Sequence, residues 1–329
     1  MSSLSNGLMP IPEAPPKPTP GFGRRFWAFP VTRIVVFLLL LLALGLALGL
    51  PLALVLRAAH IPVVQGTEIG ALLAEGVFAA AAVGAFLLMV RFADKRSAAS
   101  AGLMRRGLAL ETGLGLLGGA LLFSLVIGAL AALGAYHVNG INPHARFLVP
   151  LLLFLLVAVS EEIVFRGYIF QTLEGRWGTG IALVVSALLF GLIHLTNPIS
   201  GLTLGQKLVG PLFLVIEASI PMTAAFLLTR RMWLPIGIHW GWNLFESAVY
   251  GSADSGLPAT PLYTLLQSRL SGPFPVTGGA FGPEASVVCF VISTAAGLFL
   301  LRQAIRRGQW RPRIRSQNSH LSLNLEVIQ

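Results

Sequence analysis

Charge is scarce in this sequence. Of its 329 residues only 11% are Asp, Glu, Lys or Arg, and 55% are hydrophobic. A soluble domain carries about 25% charged residues, so a soluble globular protein is excluded. Cysteine is scarcer still. With Cys289 alone, inside an apolar run, no intramolecular disulfide can form. Acidic groups are outnumbered, 13 against 23 basic, for a formal net charge of +10. A basic excess of that size in a soluble protein would suggest nucleic acid. No basic stripe with interleaved aromatics is present, so no nucleic-acid partner is expected. The Lys and Arg residues lie between apolar runs, where they act as topology signals.

What remains is long apolar runs. Several reach the roughly 20 residues that cross a bilayer as a helix. The sequence predicts an all-α, multispan membrane protein with about eight transmembrane helices. The spans are expected over Val31–Leu56, 69–92, 108–135, 147–172, 178–197, 207–229, 232–250 and 284–305. Residues 1–30, rich in Pro, Gly and Ser, read as a disordered cytoplasmic tail. The membrane domain covers 31–306, and 307–329 form a basic, then polar, tail. Residues 251–283, rich in Gly, Pro, Ser and Thr, form the longest loop.

The basic residues alternate along this frame. Lys17, Arg24, Arg25 and Arg33 precede or open the first span, Arg91, Lys95, Arg96, Arg105 and Arg106 fill the second connection, and Arg176 lies in the fourth. Arg230 and Arg231 join the sixth and seventh spans, and six arginines from Arg302 to Arg315 close the chain. The odd connections hold about one each: Arg57, Arg146, Lys207 and Arg269. The alternation predicts an even number of passes with both termini cytoplasmic.

Ionisable groups inside a span are costly and survive where they pair or line a polar cavity. Three stretches carry them. In 160-SEEIVFRGYIF-170, Glu162 and Arg166 are four apart on one helix face, with the carboxylate on the N-terminal side, the more favourable order. Glu161 points about 100° away. It has no partner at that spacing, so it must be protonated, be wet, or meet another helix. In 190-FGLIH-194, His194 shares a face with Phe190. In 239-HWGWN-243, His239 and Asn243 share a face, with Glu246 following. Each stretch alone has a structural explanation: an ion pair, a buried neutral histidine, an interhelical hydrogen bond. Together they put a carboxylate, two imidazoles and an amide on three spans. Converging on one water, such groups can take its proton, position it and stabilise an oxyanion. Those are the parts of a peptide hydrolase that forms no acyl-enzyme.

The patterns EE-x-x-x-R at 161–166, F-x-x-x-H at 190–194 and H-x-x-x-N at 239–243 resemble the three motifs of the CAAX protease and bacteriocin-processing family, also called the abortive-infection family. The flanks 165-FRGYIF, 176-RWG, 186-SALLFGLIHL and 233-WLPIGIHWGWN are similar in order and spacing. The resemblance covers a protease-like core of about 147–250. It implies an intramembrane endopeptidase, resembling the Ras-converting endopeptidase core, in a prokaryotic cell membrane. Glu161 takes the place of the carboxylate that activates water, and Glu162 with Arg166 the place of a supporting pair. His194, His239 and Asn243 take positions lining the same cavity. The family has been described both as metalloproteases and as metal-independent glutamate enzymes. The preferred reading requires no cofactor; if zinc is used, Glu161, His194 and His239 are its ligands.

Other intramembrane protease classes are disfavoured by the absence of G-x-S-G, G-x-G-D and H-E-x-x-H. A non-catalytic scaffold or immunity protein is one alternative. A transporter using the buried charges as an ion site is another, although the two similar halves usual in transporters are absent. The expected partners are membrane lipid and a peptide or lipidated protein substrate near the cytoplasmic face: prenylated C-termini, peptide pheromones or bacteriocin leaders. Two features stand outside the motifs. Glu75 and Glu217 are further membrane carboxylates, and Glu217 is a candidate partner for a motif residue or a marker of a substrate path. At about 1.5 Å per residue, Glu161 and Asn243 fall roughly 16 Å from the cytoplasmic ends of their spans and His194 roughly 24 Å from Gly178. One helix must therefore start within the membrane, tilt or break, and Gly175, Gly178 and Gly180 offer that freedom.

Overall fold

The computed structural model describes Trp27, residues 29–61 and residues 68–313. Most of both expected tails, residues 1–26 and 314–329, lies outside the described residues. Helix α1 (Pro30–Ala58) opens on a proline at its first turn, where a missing N–H costs nothing. Helix α2 (Glu68–Leu88) runs on through a π-helical turn, Met89–Ala93. Helix α3 spans Leu108–Ala132. Helix α4 (Leu148–Glu162) continues through an eight-residue π-helical stretch, Ile163–Phe170, into α5 (Gln171–Ile193). Then come α6 (Leu204–Glu217), α7 (Ser219–Thr229) and α8 (Trp233–Asn243), the last extended by a π-helical stretch, Leu244–Val249. The short α9 (Phe274–Thr277) and α10 (Val287–Arg306) complete the order.

Six of the helices among the described residues are long and apolar enough to cross a membrane. They make the chain an all-α multispan membrane protein. Eight separate long helices are not seen, for two local reasons. The helix Leu148–Thr196, 49 residues long, contains two of the expected spans in one run. The expected 232–250 span is the helix Trp233–Val249, shorter than the roughly 20 residues that cross a bilayer. The break anticipated in α5 falls at Gly178, whose φ of 79° is left-handed and suits glycine. The segment Arg311–Arg313 packs over this glycine, and Thr179 N–H donates to the Arg311 carbonyl at 2.9 Å.

The reading of residues 251–283 as loop needs a small correction. Strand β1 (Tyr136–Ile141), after α3, pairs antiparallel with β2 (Leu266–Leu270), inside the long loop after α8. Tyr136 faces Leu270 and Ile141 faces Leu266, with a bulge between Val138 and Gly140.

Helix α3 shows how the bundle is packed. Leu110, Leu114, Leu117, Leu121 and Leu125 recur every three or four residues and are exposed, as a lipid-facing stripe should be. The opposite face carries Gly115 and Gly119, against Gly237 and Gly241 of α8. A β-carbon at Gly115 or Gly119 would collide with the Leu234 or Ile238 carbonyl, and one at Gly237 or Gly241 with the Thr112 or Leu116 carbonyl. The two backbones are in direct contact through reciprocal small-x-x-x-small pairs, the usual device for close helix packing in lipid. That contact fixes α8, and with it His239 and Asn243.

The arginines gather at one end. Arg33 pairs with Asp94, Arg231 with Glu111, and Glu174 receives both Arg230 (2.6 Å) and Arg311 (3.4 Å). Arg96 also reaches Gln171. These bonds tie the start of α1, the even connections and the C-terminal segment into one face. The two-stranded sheet lies at the other.

Candidate functional site

Glu161 and Glu162 sit at the end of α4, where the backbone passes into its π-helical stretch. π-Helical insertions rotate successive side chains and recur at functional sites. The two neighbours diverge sharply. Glu162 is wholly buried, whereas the Glu161 side chain retains 24% exposure. Glu162 Oε1 accepts from Arg166 at 3.0 Å, so the i, i+4 pair is formed. The same oxygen accepts from His239 Nδ1, also at 3.0 Å. Arg166 lies 4.5 Å over the Phe190 ring, an arrangement that suits a desolvated guanidinium. Glu162 therefore links α4 to α8 as well as to its own helix, a bridge that i, i+4 reasoning could not contain.

His239 is held by that bond with its other nitrogen forward. Its Nε2 stands 3.8 Å from Glu161 Oε2. His194 caps α5 in a short 3-10 turn, and its Nδ1 donates to the Phe190 carbonyl at 2.8 Å, which leaves Nε2 free. Asn243, one turn beyond His239, is buried on the same helix. Glu161, His194, His239 and Asn243 all line one cavity of about 380 Å³. All four expected residues are thus brought together, from α4, the end of α5, and α8.

The cavity also collects carboxylates that the motifs did not include. Glu75 of α2 lines it and accepts from Ser160 Oγ at 2.6 Å. Glu217, Asp254 and Glu284 line it too. Burial, with Glu284 close by, pushes the Asp254 carboxyl well above the usual carboxylate range. Glu75 and Glu217 were visible as charges within spans. Asp254 and Glu284 were not, because a carboxylate in a polar loop is ordinary.

Apolar lining comes from Ala71, Ala74, Leu153, Phe154 and Val157 of α2 and α4. Loop residues Asn197, Asp254, Ser255 and Leu257 also line the cavity, with Ala71 near the start of α2. All belong to the end that carries the sheet, away from the arginine-rich face.

Zinc at the motif residues can be tested on geometry. His194 and His239 both commit Nδ1 to an oxygen and present Nε2, the orientation a metal-binding imidazole needs. Among the described residues, however, Glu246, Asp254 and Glu284 are the group of three whose ligand atoms lie within 4.8 Å of one another. Glu161, His194 and His239 do not converge in that way. The arrangement does not fit a three-ligand zinc site.

An all-helical membrane fold with a polar cavity inside its apolar layer defines the class: a multispan protein built around an intramembrane site. Residues 143–245 match the family model described as type II CAAX prenyl endopeptidase Rce1-like. That segment is an Rce1-like domain, in agreement with the three motifs it contains. No curated protein and no solved structure matches the chain.

Proposed function

We propose that this protein is an intramembrane endopeptidase that hydrolyses a peptide bond near the membrane surface by a glutamate-activated water. One observation carries the reading: Glu161, His194, His239 and Asn243, from three apolar helices, line a single cavity within an Rce1-like segment. Unsatisfied buried polar groups cost about 1–3 kcal/mol each, and a shared wet cavity removes that cost while supplying the nucleophile.

In this mechanism Glu161 accepts a proton from water as the water oxygen bonds to the scissile carbonyl carbon. His194 Nε2 accepts a hydrogen bond from the same water and orients it. The carbonyl electron pair becomes an oxyanion, which the Asn243 amide and His239 Nε2–H stabilise. Because His239 Nδ1 already donates to Glu162, donation from Nε2 requires the doubly protonated ring. Glu161 then passes its proton to the leaving nitrogen as the C–N bond breaks. No step uses a metal. Glu162 and Arg166 hold His239 and do not touch the substrate.

The substrate class follows from the family and the lining. A lipidated or apolar peptide, such as a prenylated CAAX C-terminus or a membrane-bound leader peptide, suits walls made of Ala71, Ala74, Leu153, Phe154 and Val157. The position of Ala71, Asn197, Ser255 and Leu257 favours substrate access at the sheet-bearing end. With cytoplasmic termini, that end faces away from the cytoplasm, so the expected cytoplasmic access and cytoplasmic termini compete. Cleavage of a farnesylated CAAX peptide and of a leader peptide, each offered to one side of oriented proteoliposomes, tests both the activity and the side. Cleavage that persists undiminished in Glu161→Gln would remove the assignment. The mechanism also predicts that rates fall at high pH as the His239 ring loses its second proton, because only the doubly protonated ring can donate from Nε2. A rate that does not fall at high pH contradicts the His239 role, and loss of activity to a chelator with rescue by zinc would change the assigned roles to metal ligation.

A further inference from the structure

We propose that Glu246, Asp254 and Glu284, with Glu217 beside them, form a binding site for one hard divalent cation of the Ca²⁺, Mg²⁺ or Mn²⁺ class. Glu217, Asp254 and Glu284 line the same cavity as the residues assigned to hydrolysis, but the site uses none of those residues and stands whether or not that assignment holds.

The three carboxylates come from different parts of the chain. Glu246 lies in the π-helical stretch after α8, Asp254 in the loop that follows, and Glu284 in the turn Pro283–Ala285 before α10. All three are buried, and their ligand oxygens lie within 4.8 Å of one another. The loop is shaped to bring them together. Asp254 and Leu257 close a tight turn through paired backbone hydrogen bonds of 2.9 and 2.8 Å. Gly282, with φ of 101°, packs so closely on the Ala253 carbonyl that any β-carbon would collide with it.

Glu284 is held by neighbouring hydrogen-bond donors. It accepts from Ser255 N–H (2.9 Å), Ser255 Oγ (2.7 Å) and Trp242 Nε1 (3.1 Å). Trp242 Nε1 also donates to Glu246 Oε2 at 3.0 Å. Donors of this kind fix the orientation of a carboxylate, as the outer hydrogen-bond partners of metal ligands do.

An independent observation points to a missing positive partner. Glu217 is 1% exposed, and neither of its oxygens makes a hydrogen bond of ordinary geometry, although the buried Cys289 thiol stands beside it. It lines the same cavity as Asp254 and Glu284 and is within electrostatic reach of Glu246 and Glu284. Glu246 Oε1 is likewise buried without a partner. Among the described residues, none of the four carboxylates is in an ion pair. Oxygen-only donors, several of them charged, select a hard cation. A bound ion would cross-link the end of α8 to the loop and to α10.

Trp242 supplies the assay, because its indole touches two of the ligands and can sensitise a lanthanide bound there. The full chain in detergent, stripped with chelator, is titrated with Tb³⁺ under tryptophan excitation and then with Ca²⁺ or Mn²⁺. Sensitised emission at about one ion per chain is expected, displaced by the divalent ion, with a saturable rise in Tm on adding Ca²⁺ or Mn²⁺. Asp254→Asn and Glu284→Gln should each weaken the apparent affinity about tenfold or more. If a variant fails to fold, the wild-type titration and its competition decide alone. Wild-type protein with no sensitised emission and an unchanged Tm would overturn the proposal and leave a protonated, purely structural cluster. Binding of Zn²⁺ alone would overturn the hard-cation assignment.

Discussion

Glu161 and Glu162 are adjacent and chemically identical, yet the fold separates their work. Glu161 stays partly exposed in the cavity, while Glu162 is sealed between Arg166 and His239. Two outcomes should follow. Glu161→Gln should leave a stable, folded protein that does not cleave. Arg166→Ala should unfold first, because it leaves Glu162 charged and buried against His239 alone. Breaking a buried pair on one side costs about 3–5 kcal/mol, readable as a large drop in Tm. If Arg166→Ala melts with the wild type, Glu162 is not a charged partner. Asn243→Ala should cost about 100-fold or more in turnover with substrate affinity little changed, as for loss of one oxyanion donor. A rise in KM with unchanged kcat would place Asn243 in binding instead.

At the scale of elements, the contact between α3 and α8 decides whether the site exists. Gly119→Ala and Gly241→Ala each insert a methyl where backbone meets backbone. Overpacking of this kind costs about 1–3 kcal/mol, and moving α8 displaces His239 and Asn243 together. Both variants should lower Tm and activity in step, whereas Gly113→Ala, which meets open space, should change neither. Equal behaviour of Gly113 and Gly119 would contradict the packing.

This scale also shows what could be read from sequence. The motif residues were legible because charge inside an apolar run is conspicuous, and the Glu162–Arg166 spacing follows from helix geometry. The bridge from Glu162 to His239 was not, since it joins residues 77 apart. Gly178 was legible as a point of freedom, but not as the seat of Arg311–Arg313. The glycine pairs 115/119 and 237/241 carried a readable signal, the four-residue spacing of small residues. Strand pairing between β1 and β2 joins two polar connections far apart in sequence, and short polar segments carry no period strong enough to announce it.

For the whole molecule, the arginine-rich face and the cavity lie toward opposite ends. Reading Leu148–Thr196 as two passes and Trp233–Val249 as a short one gives the even number that the arginine alternation requires. Tags on the two termini should therefore be digested from the same side of sealed vesicles. Termini on opposite sides would refute the even count.

The central claim is that Glu161 activates water for peptide hydrolysis within the membrane. Its most direct measurement is cleavage of a membrane-anchored CAAX or leader peptide by the full chain in proteoliposomes, wild type against Glu161→Gln, with both proteins matched by thermal melting. The account predicts a defined product from the wild type and essentially none from the variant. Equal product from two equally folded proteins would contradict it.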